Sequence, residues 1–126
     1  MIISIDPGSA KCGLAVVDPT GQIIEKKVVA RTLLKSYLAW LLKQYPVSVI
    51  VIGDSVFGRI LVGELEWPIA VTFVSEQDST LEARERYWQA KPPPWWLRFI
   101  PTSLRFPPEP VDDWAAVILA ERYLKS

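Results

Sequence analysis

Histidine is missing from all 126 residues of this sequence. Its absence excludes a His-based triad, a His general base and a His-ligated zinc site. Any metal here has to be held by oxygen ligands, which favours magnesium or manganese over zinc or copper. Cysteine is nearly absent as well: Cys12 stands alone, which rules out an internal disulfide and points to a reducing compartment. There is no excess of either charge, because 14 basic residues balance 14 acidic ones. Contact with nucleic acid would therefore have to come from a local patch. No apolar run approaches a membrane span, and the apolar opening carries an acid where a signal peptide needs a cleavage site. A cytoplasmic protein with no membrane association is expected.

What is present is apolar. Half of the residues are hydrophobic, enough to build a core for one domain over residues 1–126. Met1 to Ile5 is an almost unbroken apolar run ending on Asp6, as expected for a strand buried on both faces. Pro7 and Gly8 stop it, and Gly13 to Val17 resumes an apolar run that closes on Asp18-Pro19-Thr20-Gly21. That turn and the strand pattern at Gln22 to Ala30 predict an antiparallel hairpin. Leu34, Tyr37, Leu38, Leu41 and Tyr45 share one face of a helix that stops before Pro46.

Val47 to Ile52 and Ile69 to Val74 are further apolar runs without alternation, suited to parallel strands joined through helices. Between them, Val56 to Trp67 carries only a weak helical pattern, a short helix with Phe57, Ile60, Leu61 and Leu65 as its apolar residues, interrupted by Gly58 and Gly63. Ser79-Thr80-Leu81-Glu82 is a capping box that opens a helix to about Ala90, and Asp112 to Leu124 is the last helix. The order predicts an α/β fold: a mixed sheet of five strands, three antiparallel and then two parallel, flanked by helices.

Acids fall where the strands end. Ligands of open α/β sheets bind beyond the carboxyl ends of the strands, so Asp6, Asp54 and Glu76 are candidates to converge there, with Asp112 or Asp113 added by the last helix. Carboxylates brought that close repel, and a divalent cation is the usual means of holding them together. Mg²⁺ or Mn²⁺ in such a site activates water and stabilises a leaving oxygen in phosphodiester hydrolysis.

Ile5-Asp6-Pro7-Gly8-Ser9 followed by Gly13 resembles the opening of the ribonuclease-H-like resolvases of the RuvC and YqgF types. Val74-Ser75-Glu76-Gln77-Asp78-Ser79-Thr80-Leu81-Glu82-Ala83 resembles the YqgF-type motif around its strand-five acid. Val111-Asp112-Asp113-Trp114-Ala115-Ala116 resembles that family's closing helix. The resemblance implies a ribonuclease-H-like fold and a Mg²⁺- or Mn²⁺-dependent nuclease. The assigned roles are processing of pre-16S ribosomal RNA ends and resolution of Holliday junctions. It carries the catalytic, metal-holding role onto Asp6, Glu76 and Asp112. The stretch Gly53-Asp54-Ser55-Val56-Phe57 instead resembles the RuvC type, which would place an acid at Asp54. Where the YqgF motif has Asp and Arg beside its acid, this chain has Ser75 and Gln77.

Lys11, in the first turn, matches a family lysine and is a candidate phosphate contact. Residues 91–110 form a Pro- and Trp-rich loop, and Arg84, Trp95, Trp96, Arg98 and Arg105 combine backbone charge with rings on which bases stack. The expected partner is RNA or branched DNA, bound by a monomer or a homodimer. Two other classes share part of this pattern. An actin-like sugar kinase or ATPase shares the Asp-x-Gly opening but needs a duplicated domain and a second phosphate loop. A catalytically degenerate module that binds nucleic acid or protein is the alternative, favoured by Ser75, Gln77 and the absence of net charge.

Overall fold

Apolar runs long enough to span a sheet become five strands: β1 (Ile2–Asp6), β2 (Lys11–Val17), β3 (Ile23–Ala30), β4 (Val49–Asp54) and β5 (Val71–Ser75). The computed structural model describes residues 1–91, 95–101, 107 and 110–126. In it the sheet order is β3-β2-β1-β4-β5, with β1 at the centre. The β1–β2 and β2–β3 pairs are antiparallel, and β4 and β5 run parallel to β1. This is the mixed arrangement expected from the sequence. Asp18 fixes the hairpin turn by accepting the N–H groups of Thr20 and Gln22, each at 2.9 Å. The Thr20 hydroxyl, which donates to the same oxygen at 2.6 Å, and then these N–H groups hold the Asp18 carboxyl below the usual range.

Among the described residues, four α-helices cover the two faces: α1 (Leu34–Gln44), α2 (Val56–Glu64), α3 (Ser79–Ala90) and α4 (Asp112–Lys125). Side chains alternate along a strand, so each strand has two different faces. Ile3, Ile5, Leu14, Val16, Ile50 and Ile52 form one core with Leu34, Leu38 and Leu41 of α1 and Leu61 of α2. On the opposite face Ile2, Ala15, Val17, Val49 and Val51 meet Ala116, Val117, Leu119 and Ala120 of α4. The α4 face is floored by smaller groups, and α4 is rich in alanine. That pairing lets the helix lie close to the sheet.

Two local expectations are corrected. The capping box at Ser79 does not form. Asp78 is the N-cap, in a left-handed conformation (φ 60°), and no side chain caps α3. The chain has to turn sharply after β5, and Asp tolerates that conformation better than most residues. Ser79 turns inward and donates its N–H to the Glu76 carbonyl at 2.9 Å, while Glu82 pairs with Arg122 at 3.1 Å. The weak stretch after β4 is a helix, α2, capped by the Ser55 hydroxyl on the Gly58 N–H at 3.1 Å. Phe57 and Ile60, expected on its packing face, are exposed instead. No helix among the described residues is long and apolar enough to cross a membrane.

The close approach of α4 makes a direct prediction. A Cβ on Gly13 would collide with the backbone carbonyl of Asp112, whereas one on Gly63 would meet open space. Gly13→Ala is expected to lower stability by about 1–3 kcal/mol through overpacking. Gly63→Ala is expected to raise it by up to about 1 kcal/mol through helix propensity. Urea denaturation of the two variants checks the difference; equal stabilities would refute it.

Candidate active site

The acids singled out in the sequence separate by face. Asp6 continues the Ile2, Ser4 side of β1 and therefore points towards α4. Its antiparallel partner in the register is Gly13, and on the parallel side Ile5 pairs with Ile52, which sets Gly53 beside Asp6. Neither neighbouring strand places a side chain against Asp6. Over Gly13 lies the first turn of α4, with Asp112, and over Gly53 lies the carboxylate of Glu76, which a Cβ at that glycine would strike. Glycine is required at both positions because other groups occupy the Cβ space. Asp6, Glu76 and Asp112 are thus brought together at the carboxyl end of the central strand.

Their electrostatics follow from this placement. Burial pushes the Asp6 carboxyl up to about 7, and the charges of Glu76 and Asp112 push it in the same direction. Glu76 is also raised, chiefly by burial, with the charge of Asp54 adding to it. Hydrogen bonds from Asp6 and Ser55 act the other way and favour its ionised form. Both shifts reflect one arrangement, in which the Asp6 and Glu76 carboxyls share a hydrogen bond. Oε1 of Glu76 is buried without a hydrogen-bond partner.

Asp112 follows the N-cap residue Val111 and makes no side-chain cap; its carboxylate faces Lys11 Nζ at 3.5 Å. Lys11, Asp112, Asp6 and the turn Pro7 to Ala10 line a shallow cleft of about 260 Å³. Asp113, one residue further along α4, faces elsewhere. It pairs with Lys26 of β3 at 2.9 Å and accepts the Trp114 N–H at 2.8 Å. Asp54 shares its face with Ile50 and Ile52, opposite to Asp6, and pairs with Arg59 of α2 at 3.0 Å.

Arg84 lies partly buried on α3, eight residues beyond Glu76. Trp95 and Trp96 belong to a short 3-10 helix, Trp95–Phe99, with the Trp95 and Phe99 rings edge to face at 6.4 Å. Both tryptophans are largely exposed, at 68% and 51%. Arg98 falls within that helix, and Arg105 lies outside the described residues.

Sequence reasoning missed Gly13 and Gly53, whose signal was their smallness at alternate positions facing an alanine-rich helix. It also missed Arg59 and Lys26, partners of the two remaining acids, and these had no sequence signal.

The donor set suits a hard divalent cation, being all carboxylate oxygen. An orphaned buried oxygen on Glu76 and the side-chain-free space at Gly53 fit such an ion. Among the described residues, no group of three or more acids already stands as a closed set around a metal position. Asp112 instead has an ammonium partner, Lys11.

A mixed sheet centred on β1, helices on both faces and acids at the carboxyl end of β1 define the ribonuclease-H-like α/β class. Thermus thermophilus RuvC, solved in complex with a Holliday junction substrate, has this fold. The similarity covers 94% of this chain and 88% of that one, with a TM-score of 0.54 and 16% identity. A putative sugar kinase from Cytophaga hutchinsonii is similar over 69% of this chain at 22% identity and a TM-score of 0.44; the match spans 39% of the kinase. No protein-family model and no curated protein matches the chain.

The site's electrostatics predict a pH dependence for the metal-free protein. Asp6 titrates near 3.8 when unfolded and about 7 when folded, so the folded state holds the extra proton between those values. The stabilisation is full below the lower value and is lost as pH rises through the upper one. The contribution is on the order of 2–4 kcal/mol. Asp6→Asn should remove that slope and be more stable than wild type at about pH 8. Denaturation in chelator at about pH 5 and about pH 8 tests this, and parallel slopes for the two proteins would contradict it.

Proposed function

We propose that this protein is a divalent-metal-dependent nuclease that hydrolyses phosphodiester bonds in structured nucleic acid. Asp6, Glu76 and Asp112 hold Mg²⁺ or Mn²⁺. The observation that carries the reading is the convergence of these carboxyls on a buried Asp6, whose titration is pushed up to about 7 by burial first and by the charges of Glu76 and Asp112 after it, with a buried Glu76 oxygen left unpartnered. When bound, the cation supplies a polarised water and charge stabilisation for the leaving oxygen. The chain's own residues do the rest. Asp6, as its anion, and Glu76 would offer carboxylate oxygens to the metal, with Asp112 as the third donor. The turn Pro7 to Ala10 walls the cleft that would receive a substrate phosphate.

Within this class, the motifs around Asp6, Glu76 and Asp112 support a YqgF-type role in ribosomal RNA processing. The similarity to a RuvC solved on a Holliday junction supports a branched-DNA substrate. Lys11 at the cleft and the exposed Trp95 and Trp96 are the proposed nucleic-acid contacts. Asp54 and Asp113 serve instead as ion-pair partners of Arg59 and Lys26. A binding module that has lost catalysis is the second reading, favoured by the absence of a preformed metal cluster among the described residues.

Labelled single-stranded RNA, duplex and four-way DNA junction, each incubated with Mg²⁺ or Mn²⁺, form the test. Cleavage of at least one is expected and should be abolished by Asp6→Asn and strongly reduced by Asp112→Asn. Asp113→Asn should keep activity while losing the stability of its ion pair, about 1 kcal/mol. No cleavage of any substrate with either metal would establish the binding module instead. Replacing Trp95 and Trp96 together by alanine should weaken binding by about 1–3 kcal/mol per lost stack, with the melting temperature unchanged. Unchanged affinity would remove these rings from the interface.

A further inference from the structure

Two adjacent acids at the start of α4 are each met by a lysine from the sheet, and the two pairs differ. Lys26 Nζ lies 2.9 Å from Asp113, whose side chain is 15% exposed, and the ammonium also sits 4.5 Å from the centre of the Trp114 ring. That pair is tight, sheltered and clamped by a third group. Lys11 Nζ stands 3.5 Å from Asp112, with the lysine side chain 52% and the aspartate 34% exposed. It is loose and faces solvent at the cleft. The backbone that carries it is fixed, because Lys11 pairs with Ala30 in the sheet and its carbonyl packs against Gly8. Only its flexible stem is free to move.

We propose that Lys11 is a displaceable counter-cation. It neutralises Asp112 in the metal-free protein, leaves when a divalent cation takes that carboxylate, and is thereby released to the cleft mouth as a contact for a substrate phosphate. The inference rests on the metal-binding reading above. Its physical basis is that one carboxylate cannot fully serve an ammonium and a divalent ion at once. Repulsion between the two cations drives the more exposed, singly charged one away. An exposed ion pair is weak enough for the exchange to be easy. The ammonium, held by a short stem at the cleft, then meets the next anion to arrive. Metal loading and phosphate capture are coupled by this exchange, so the cleft gains its organic cation only after the acids are neutralised.

The experiment uses Mn²⁺ alone as the probe, in the full chain, with two readouts that do not involve cleavage. Calorimetric titration should show Lys11→Met binding Mn²⁺ about three- to tenfold more tightly than wild type. Lys11→Arg should stay near wild type. Lys26→Met, which also removes one positive charge beside α4, should not tighten binding. In wild type, acetylation of Lys11 by an amine-reactive ester, followed by mass spectrometry, should accelerate on adding Mn²⁺ while Lys26 stays unchanged. If wild type binds Mn²⁺ but Lys11→Met binds it no more tightly, or if Lys11 becomes protected, the exchange is overturned and the metal site stands. Equal tightening by Lys26→Met would show a general charge effect and overturn it too. Absence of Mn²⁺ binding by every variant would overturn the metal reading and this inference with it.

Discussion

Like charges gathered in a partly buried corner are the constraint on which the carboxyl end of the sheet depends. Asp6, Glu76 and Asp112 would repel one another if all were ionised and unpartnered. The protein relieves this in two ways: a hydrogen bond shared by the Asp6 and Glu76 carboxyls, and the Lys11 ammonium beside Asp112. Burial is what makes the constraint matter, since the same acids in water would sit near their ordinary titration values. Under the proposed function, a divalent ion would relieve this repulsion more completely, which ties the electrostatics of the apo fold to the proposed chemistry.

The constraint is imposed by packing. Asp112 comes near Asp6 because α4 can descend onto β2 at Gly13, and Glu76 lies over β4 because Gly53 leaves the space empty. Alanines at 115, 116 and 120 keep the helix close along its length, and they are buried. Arg122, near the far end of α4, donates to the Ser75 carbonyl at 2.7 Å, which fixes the strand end just before Glu76. The helix that supplies one acid therefore also secures the strand that supplies another. Packing energy, which is large, holds together charges whose mutual repulsion is smaller.

The same residue type has different tasks within a few residues. Asp112 and Asp113 are consecutive, yet one faces the cleft and the other locks α4 to β3 through Lys26. Asp54 and Glu76 both follow parallel strands, yet Asp54 lies on the α2 side with Arg59, and Glu76 lies on the α4 side with Asp6. Strand alternation decides the second contrast, and the 100° step between neighbouring helix positions decides the first.

The sequence alone determined the element order, the mixed sheet and the location of the acids at strand ends. These follow from apolar run length, turn residues and helical periodicity, which are local properties. The resemblance to the resolvases added a ranking of those acids. Which acids meet was decided by the tertiary structure. β1 and β4 are apolar on both faces, so their composition carries no information on which way Asp6 or Asp54 points; only the register Ile2 to Val49 and the face claimed by α4 supply it. The capping pattern at Ser79 was overridden for the same reason, because the turn required after β5 is set by where α3 must pack. The partners Lys11, Lys26 and Arg59 were also beyond sequence reading. An ion pair joins groups that are distant along the chain, and nothing local in the sequence records the distance between them in space.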